Sequence, residues 1–183
     1  MMKLLLPLVL LFASLTCFGF APEFTPEQVK EYHQEAELGN AGAQWSLGLL
    51  YRNGWGVTKD YTEAAKWYRK AADQGDAEAQ YNLGAMYDNG EGVPEDDTEA
   101  AKWYRKVAEQ GHCRAQYNLG SKYDTGEGVP EDFVFAYMWL NLAAAEGNEK
   151  AKNWKNVLSK DMTKEQIAEA QKLSREWMAK RQD

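Results

Sequence analysis

The 183-residue chain is predicted to be an all-α solenoid of repeated helical hairpins, and three observations carry that expectation. The pair Ala43-Gln44 returns as Ala79-Gln80 and Ala115-Gln116, 36 residues apart each time; residues 43–78 match 79–114 at 22 of 36 positions, and 79–114 match 115–150 at 19 of 36. Self-similarity at such a period marks stacked supersecondary units, each too small to bury its own apolar face. Apolar residues recur at helical spacing twice per period, as Ala79-Leu83-Tyr87 and then as Ala100-Trp103-Tyr104-Val107-Ala108. Glycines punctuate both helices at fixed offsets, Asn89-Gly90-Glu91-Gly92 after the first and Gly75, Gly111 and Gly147 after the second, where a helix end asks for positive φ.

Composition agrees. A hydrophobic fraction of 44% with 13% aromatics supplies a core and argues against disorder. A net charge of −7 makes nucleic acid and anionic lipid poor partners. Lys3, the apolar run Leu4 to Phe12 and the small residues Ala13, Ser14, Gly19 and Ala21 have the layout of a secretory signal peptide over residues 1–19, with an uncleaved membrane anchor as the alternative. Ser14, Leu15 and Thr16 fit a lipoprotein signal before Cys17 badly. Cleavage after Gly19 removes one lysine and no acid, moves the net charge to −8 and leaves Cys113 as the remaining cysteine. The mature chain, with no further apolar stretch long enough to span a bilayer, is expected to be periplasmic or secreted.

The elements follow in order. Residues 26–42 read as a lone second helix, because Tyr32, Ala36 and Gly39 lie 36 before Tyr68, Ala72 and Gly75. Thr25-Pro26-Glu27-Gln28 gives it a capping box and an N-terminal proline. Repeats at 43–78, 79–114 and 115–150 follow. Gly48, Gly84 and Gly120 sit inside each first helix at a cost of about 1 kcal/mol against alanine, which implies a neighbouring helix too close for a side chain. Asp60 with Glu63, and Asp96 with Glu99, have capping-box spacing at the second helices. Asp76 and Asn148 are suited to cap the helices that follow, His112 less so. Residues 151–183 hold a partial first helix with Ala151, Trp154 and Leu158, then a capping helix opened by Thr163-Lys164-Glu165-Gln166 with the stripe Ile167, Ala170, Leu173 and Trp177. The basic stripes Lys66-Arg69-Lys70 and Lys102-Arg105-Lys106 become Met138, Asn141 and Leu142 in the third repeat, so the terminal helix is expected to cover that face.

Ala79-Gln80-Tyr81-Asn82-Leu83-Gly84, Tyr87, Gly90-Glu91-Gly92-Val93, Asp96, Ala100, Trp103-Tyr104, Ala108 and Gly111 resemble the Sel-1-like repeat, a relative of the tetratricopeptide repeat, across roughly residues 26–158. The segment from Ala136 to Ala145 and on through Met162 to Ile167 is similar to the C-terminus of bacterial secreted members. The resemblance implies a right-handed α/α superhelix with a concave face and a non-catalytic adaptor role in protein complexes of the envelope or secreted fraction. It further implies that first helices line the concave groove. The matching residues are Trp45, Ser46, Leu49, Arg52 and Asn53; Tyr81, Asn82, Ala85, Asp88 and Asn89; and Tyr117, Asn118, Ser121, Asp124 and Thr125. The stripe Glu78, Tyr81, Ala85, Asp88 and Asn89 lies opposite Ala79, Leu83 and Tyr87, and tyrosine with asparagine on a rigid surface can hold a peptide. Packing of Tyr81 and Tyr117 between repeats is the competing assignment, of equal weight.

Catalytic chemistry is sparse. Asp88 and Glu99 imitate the ends of a calcium loop, but Gly90 and Gly92 stand where oxygen ligands belong and Val93 where glycine is needed, so neither calcium nor another metal is expected. No Ser/His/Asp grouping or phosphate loop occurs, and no cofactor is expected. Cys113 aligns with Ala41 and Ala77, as a small packed residue would, with an intermolecular disulfide as the alternative. Some cysteine-rich relatives are linked to penicillin binding or hydrolysis and carry paired cysteines in each repeat. This chain lacks them, which leaves a cell-wall or β-lactam hydrolase as the second reading behind a binding scaffold.

Overall fold

A computed structural model describes residues 24–181; residues 1–19, which the sequence leads one to expect as a signal peptide, lie outside the described residues. Among the described residues there are nine α-helices and no strand. They are α1 (Pro26–Glu37), α2 (Ala41–Asn53), α3 (Tyr61–Asp73), α4 (Ala77–Asn89), α5 (Asp97–Glu109), α6 (Cys113–Thr125), α7 (Phe133–Ala145), α8 (Glu149–Leu158) and α9 (Lys164–Ala179). The chain is an all-α repeat protein of helical hairpins. It divides into two compact units, one of residues up to Leu83 with Glu91–Pro94, the other of Gly84–Gly90 with Glu95 onward.

In the first unit α1 packs on α2 and α2 on α3. Its core is Val29, Tyr32, Ala36, Ala43, Leu47, Leu50 and Trp67, with Phe24 and Trp55 stacked at its edge. Gly48 explains the tolerance of glycine in a helix: a Cβ there would lie 2.4 Å from two carbons of the Tyr68 ring, far inside contact distance. Gln44 bolts three helices. Its Nε2 donates to the Ala36 carbonyl (2.9 Å) and its Oε1 accepts from Gln74 Nε2 (2.7 Å) at the end of α3. The outer face of α1 is polar. Gln28 and Glu31 are exposed and Glu35 half-buried, at positions where α3 buries Ala64, Trp67 and Ala71.

The second unit repeats the logic. Gly84 faces Tyr104, and Gly120 faces Leu140 and the Ala136 carbonyl. Gln116 Nε2 donates to the Ala108 carbonyl at 3.3 Å. Here α9 covers α7: Met138 and Leu142 are buried, Trp177 meets Trp139 edge-on at 6.1 Å, and Arg181 donates to the Gln110 carbonyl at 2.9 Å. Ala170 and Ser174, both fully buried, let α9 approach that closely, whereas Ile167, Leu173 and Trp177 stay half-buried.

Capping departs from expectation in detail. Thr25 with Gln28 and Thr163 with Gln166 form reciprocal capping boxes. Asp60 and Asp96 cap α3 and α5, but the return half is missing, because Glu63 and Glu99 bind Lys66 and Lys102 instead. His112 does cap α6, its Nδ1 accepting from the Ala115 N–H at 3.2 Å. The buried stripe of α4 is Ala79, Leu83 and Met86, and Tyr87 is only half-buried. Met86 lies seven residues after Ala79, nearly two full turns, whereas Tyr87 at eight residues has rotated well past that face. The tyrosines equivalent to Tyr87 stand at the rim, where Tyr51 bonds His33 Nε2 (3.1 Å) and Tyr123 accepts from Arg105 (2.7 Å).

Candidate binding faces of the first helices

In the first unit, Trp45 and Leu49 on α2 are half-buried, and the Trp45 indole N–H is buried without a hydrogen-bond partner. Ser46 turns inward, 3% exposed, and donates to the Gly42 carbonyl at 2.8 Å. The Arg52 guanidinium reaches Glu91 (3.3 Å) and, more weakly, the Asn82 carbonyl oxygen (3.5 Å). It also lies near the Tyr68 hydroxyl. Burial pushes that phenol up, and Arg52 opposes the shift without cancelling it. Asn82 is buried and Tyr81 half-buried. Of the five first-helix positions in this unit's α2, Asn53 spends its amide on its own helix, donating to the Leu49 carbonyl.

The second unit carries the opposite charge. Asp88 stands at the register position of Arg52 and takes a hydrogen bond from Tyr104 Oη at 3.0 Å. Lys122 supplies the cation. Its ammonium lies 2.5 Å from Asp88, 2.5 Å from Asp97 and 3.4 Å from Glu127, with its side chain 7% exposed. Burial alone would lower its pKa; the hydrogen bonds and charges of Asp88 and Asp97 outweigh burial and hold it above the ordinary lysine value. A polar cleft of about 250 Å³ opens beside this group, lined also by Asn118 and Ser121. Ala85 is half-buried. Asp124 accepts the Trp154 indole N–H at 2.9 Å, and Tyr117 meets the Trp154 ring edge-on at 5.7 Å. Asn89 and Thr125 bond back to the carbonyls of Ala85 and Ser121.

The sequence reading singled out Asp88, Asn118 and Ser121 but missed Lys122, which lines the same cleft. The signal was present: the register reads Leu50, Met86, Lys122, and a lysine at a position that is otherwise fully buried requires carboxylate partners. Cys113 is half-buried and unpaired, its thiol pointing to the Ala143 carbonyl at 3.5 Å. Among the described residues no group of three His, Cys, Asp or Glu side chains is placed to hold a metal ion. No helix among them is long and apolar enough to cross a membrane.

Geometry of this kind defines a helical-hairpin repeat protein, and comparison with known proteins gives the family. The Sel1 repeat matches three times, at residues 41–76, 77–112 and 113–148, each beginning at the first residue of a first helix. The chain belongs to the Sel1-repeat family. Among solved structures it is similar to a protective antigen of uropathogenic Escherichia coli strains displaying an SLR fold (37% identity, TM-score 0.76, 83% of this chain and 32% of that one). It thus spans about a third of that antigen's length. It is also similar to a Sel1 repeat protein from Oxalobacter formigenes (41% identity, TM-score 0.64, 70% of this chain and 96% of that one). Helicobacter pylori cysteine rich protein B shares the fold (24% identity, TM-score 0.54, 69% and 91%). No curated protein matches.

Proposed function

We propose that the chain is a non-catalytic protein-interaction scaffold that binds a protein or peptide on the exposed sides of its first helices, outside the cytoplasm after loss of residues 1–19. The carrying observation is the accessibility pattern of those helices. Trp45, Leu49, Tyr81, Ala85, Tyr117 and Ser121 stay half-buried at equivalent positions, while Leu47, Leu83 and Leu119 beside them are sealed. Half-exposed aromatics with neighbouring amides give contact area at low entropic cost. The apolar leader supports the extracytoplasmic location. The likeness to the cysteine-rich protein concerns fold alone and lends the hydrolase reading nothing.

The test is crosslinking in cells followed by mass spectrometry, with Leu49→Arg and Ser121→Arg as separate variants checked for native circular dichroism. A partner that vanishes with either folded variant supports the assignment. Partners unchanged in both, or muropeptide or β-lactam turnover abolished by one carboxylate substitution, would overturn it.

A further inference from the structure

We infer that Arg52 and Tyr68 of the first unit form a subsite for an acidic side chain of the bound peptide, whose carboxylate displaces Glu91; this deepens the scaffold reading above and rests on it. The second unit shows the same arrangement with a carboxylate in place, where Tyr104 gives its hydroxyl proton to Asp88 at 3.0 Å. At the matching register positions of the first unit stand Tyr68 and Arg52. Tyr68 is 0% exposed, and its hydroxyl is buried without a hydrogen-bond partner. The guanidinium beside it can only donate, so the phenol proton has no acceptor.

The guanidinium is itself loosely held. Its contacts to Glu91 and Asn82 are 3.3 and 3.5 Å long, against about 2.7–2.9 Å for a well-made charge-assisted hydrogen bond. The side chains of Arg52 and Glu91 are each 29% exposed, so a ligand can reach the pair and Glu91 can leave for water. Charge counting alone selects no ligand here. Arg52 is the one charged residue of α2, and Lys59 stands at the register position of Glu95, which lines the cleft beside Asp88. Asp60 is turned to the N–H groups of Thr62 and Glu63. Glu78 stands one turn before Asn82 on α4. Arg52 and Lys59 are thus balanced by Glu91 and Glu78. The donor set makes the choice: a guanidinium and a phenol share one distant carboxylate that takes nothing from the phenol. A closer carboxylate accepts from both at once, and an amide oxygen does so without the charge.

Fluorescence anisotropy with two labelled, end-capped peptides tests this: repeats of Glu-Leu-Ser and of Gln-Leu-Ser. The net charge of −7 repels the acidic probe as a whole, so a preference for it has to come from a local site. Glu-Leu-Ser should bind about tenfold tighter than Gln-Leu-Ser. Arg52→Gln should abolish that preference. Tyr68→Phe removes only an unbonded hydroxyl, so it should keep the melting temperature and cut the preference about threefold. Glu91→Gln should tighten Glu-Leu-Ser about threefold by removing the competing acid, which a merely structural ion pair would not do. Equal or weaker binding of Glu-Leu-Ser, a preference unchanged in both Arg52→Gln and Tyr68→Phe, or weaker Glu-Leu-Ser binding in Glu91→Gln would each overturn the inference. No binding of either probe would overturn it too, and the scaffold reading would still stand on a crosslinked partner lost in Leu49→Arg.

Discussion

Glu146→Gln should stabilise the second unit. Gln44 shows what its position in the repeat requires: its side chain is buried, donates to the preceding second helix and accepts from Gln74 at 2.7 Å. Gln116 makes the donation to Ala108, but its Oε1 is buried without a partner, in a residue 1% exposed. The residue 36 beyond Gln110, the register position of Gln74, is Glu146, whose carboxylate has no proton to give. A glutamine restores the donor, about 1 kcal/mol for the bond itself. Glu146 is also the C-cap of α7, where a negative charge opposes the helix dipole by about 0.5 kcal/mol. The two contributions make the expected gain about 1.5 kcal/mol, or a rise in melting temperature of about 3–6 °C for a chain of this length. Urea titration followed by tryptophan fluorescence and far-ultraviolet circular dichroism measures it, with the denaturant slope required to stay constant. The reciprocal Gln74→Glu should lose about as much in the first unit. A Glu146→Gln midpoint equal to or below wild type would refute the register argument and leave the Gln116 orphan unexplained.

Further outcomes are expected. Gly48→Ala should cost about 2–3 kcal/mol in urea titration, because the new methyl overlaps the Tyr68 ring, and Gly84→Ala should cost less, since Tyr104 lies 3.1 Å from the added carbon. Lys122→Met, which restores the residue type of Met86, should lose about 3 kcal/mol at neutral pH by leaving Asp88, Asp97 and Glu127 facing one another. The raised pKa of Lys122 fixes the sign of its pH dependence: its contribution is complete below the ordinary lysine value of 10.5 and fades as pH climbs above it. The stability gap between wild type and Lys122→Met should therefore close in alkaline melts. Truncation after Met162 should uncover Met138 and Leu142 and produce concentration-dependent association in sedimentation velocity. Tyr81→Ala with Tyr117→Ala should remain folded but melt a few degrees lower, since Tyr117 braces Trp154, and should lose its crosslinked partner.

Much of the architecture was legible because the repeat supplies its own control. Three glycines at one register position can be read as a close approach, and the structure places Tyr68, Tyr104 and Leu140 against them. Loss of the basic stripe at Met138 and Leu142 announced a cover, and α9 provides it. What was not legible depended on single departures from the repeat. Lys122 does not stand out in the repeat, because identity counts do not weigh a change from methionine to a buried cation. Glu63 and Glu99 have the spacing to cap, yet an exposed lysine three residues on competes for the same carboxylate, and spacing alone does not decide between them. Ser174 carries no apolar signal, although its small size lets α9 sit close to α7.

The hydrophilic outer side of α1 restricts how this molecule could be lengthened. Gln28, Glu31 and Glu35 offer water-loving groups where every inner hairpin presents Ala, Trp and Ala or Val, so another hairpin placed ahead of α1 would meet carboxylates and find nothing to wet against. Extra 36-residue modules belong in the interior of the array, spliced between existing hairpins, where both neighbours can receive them.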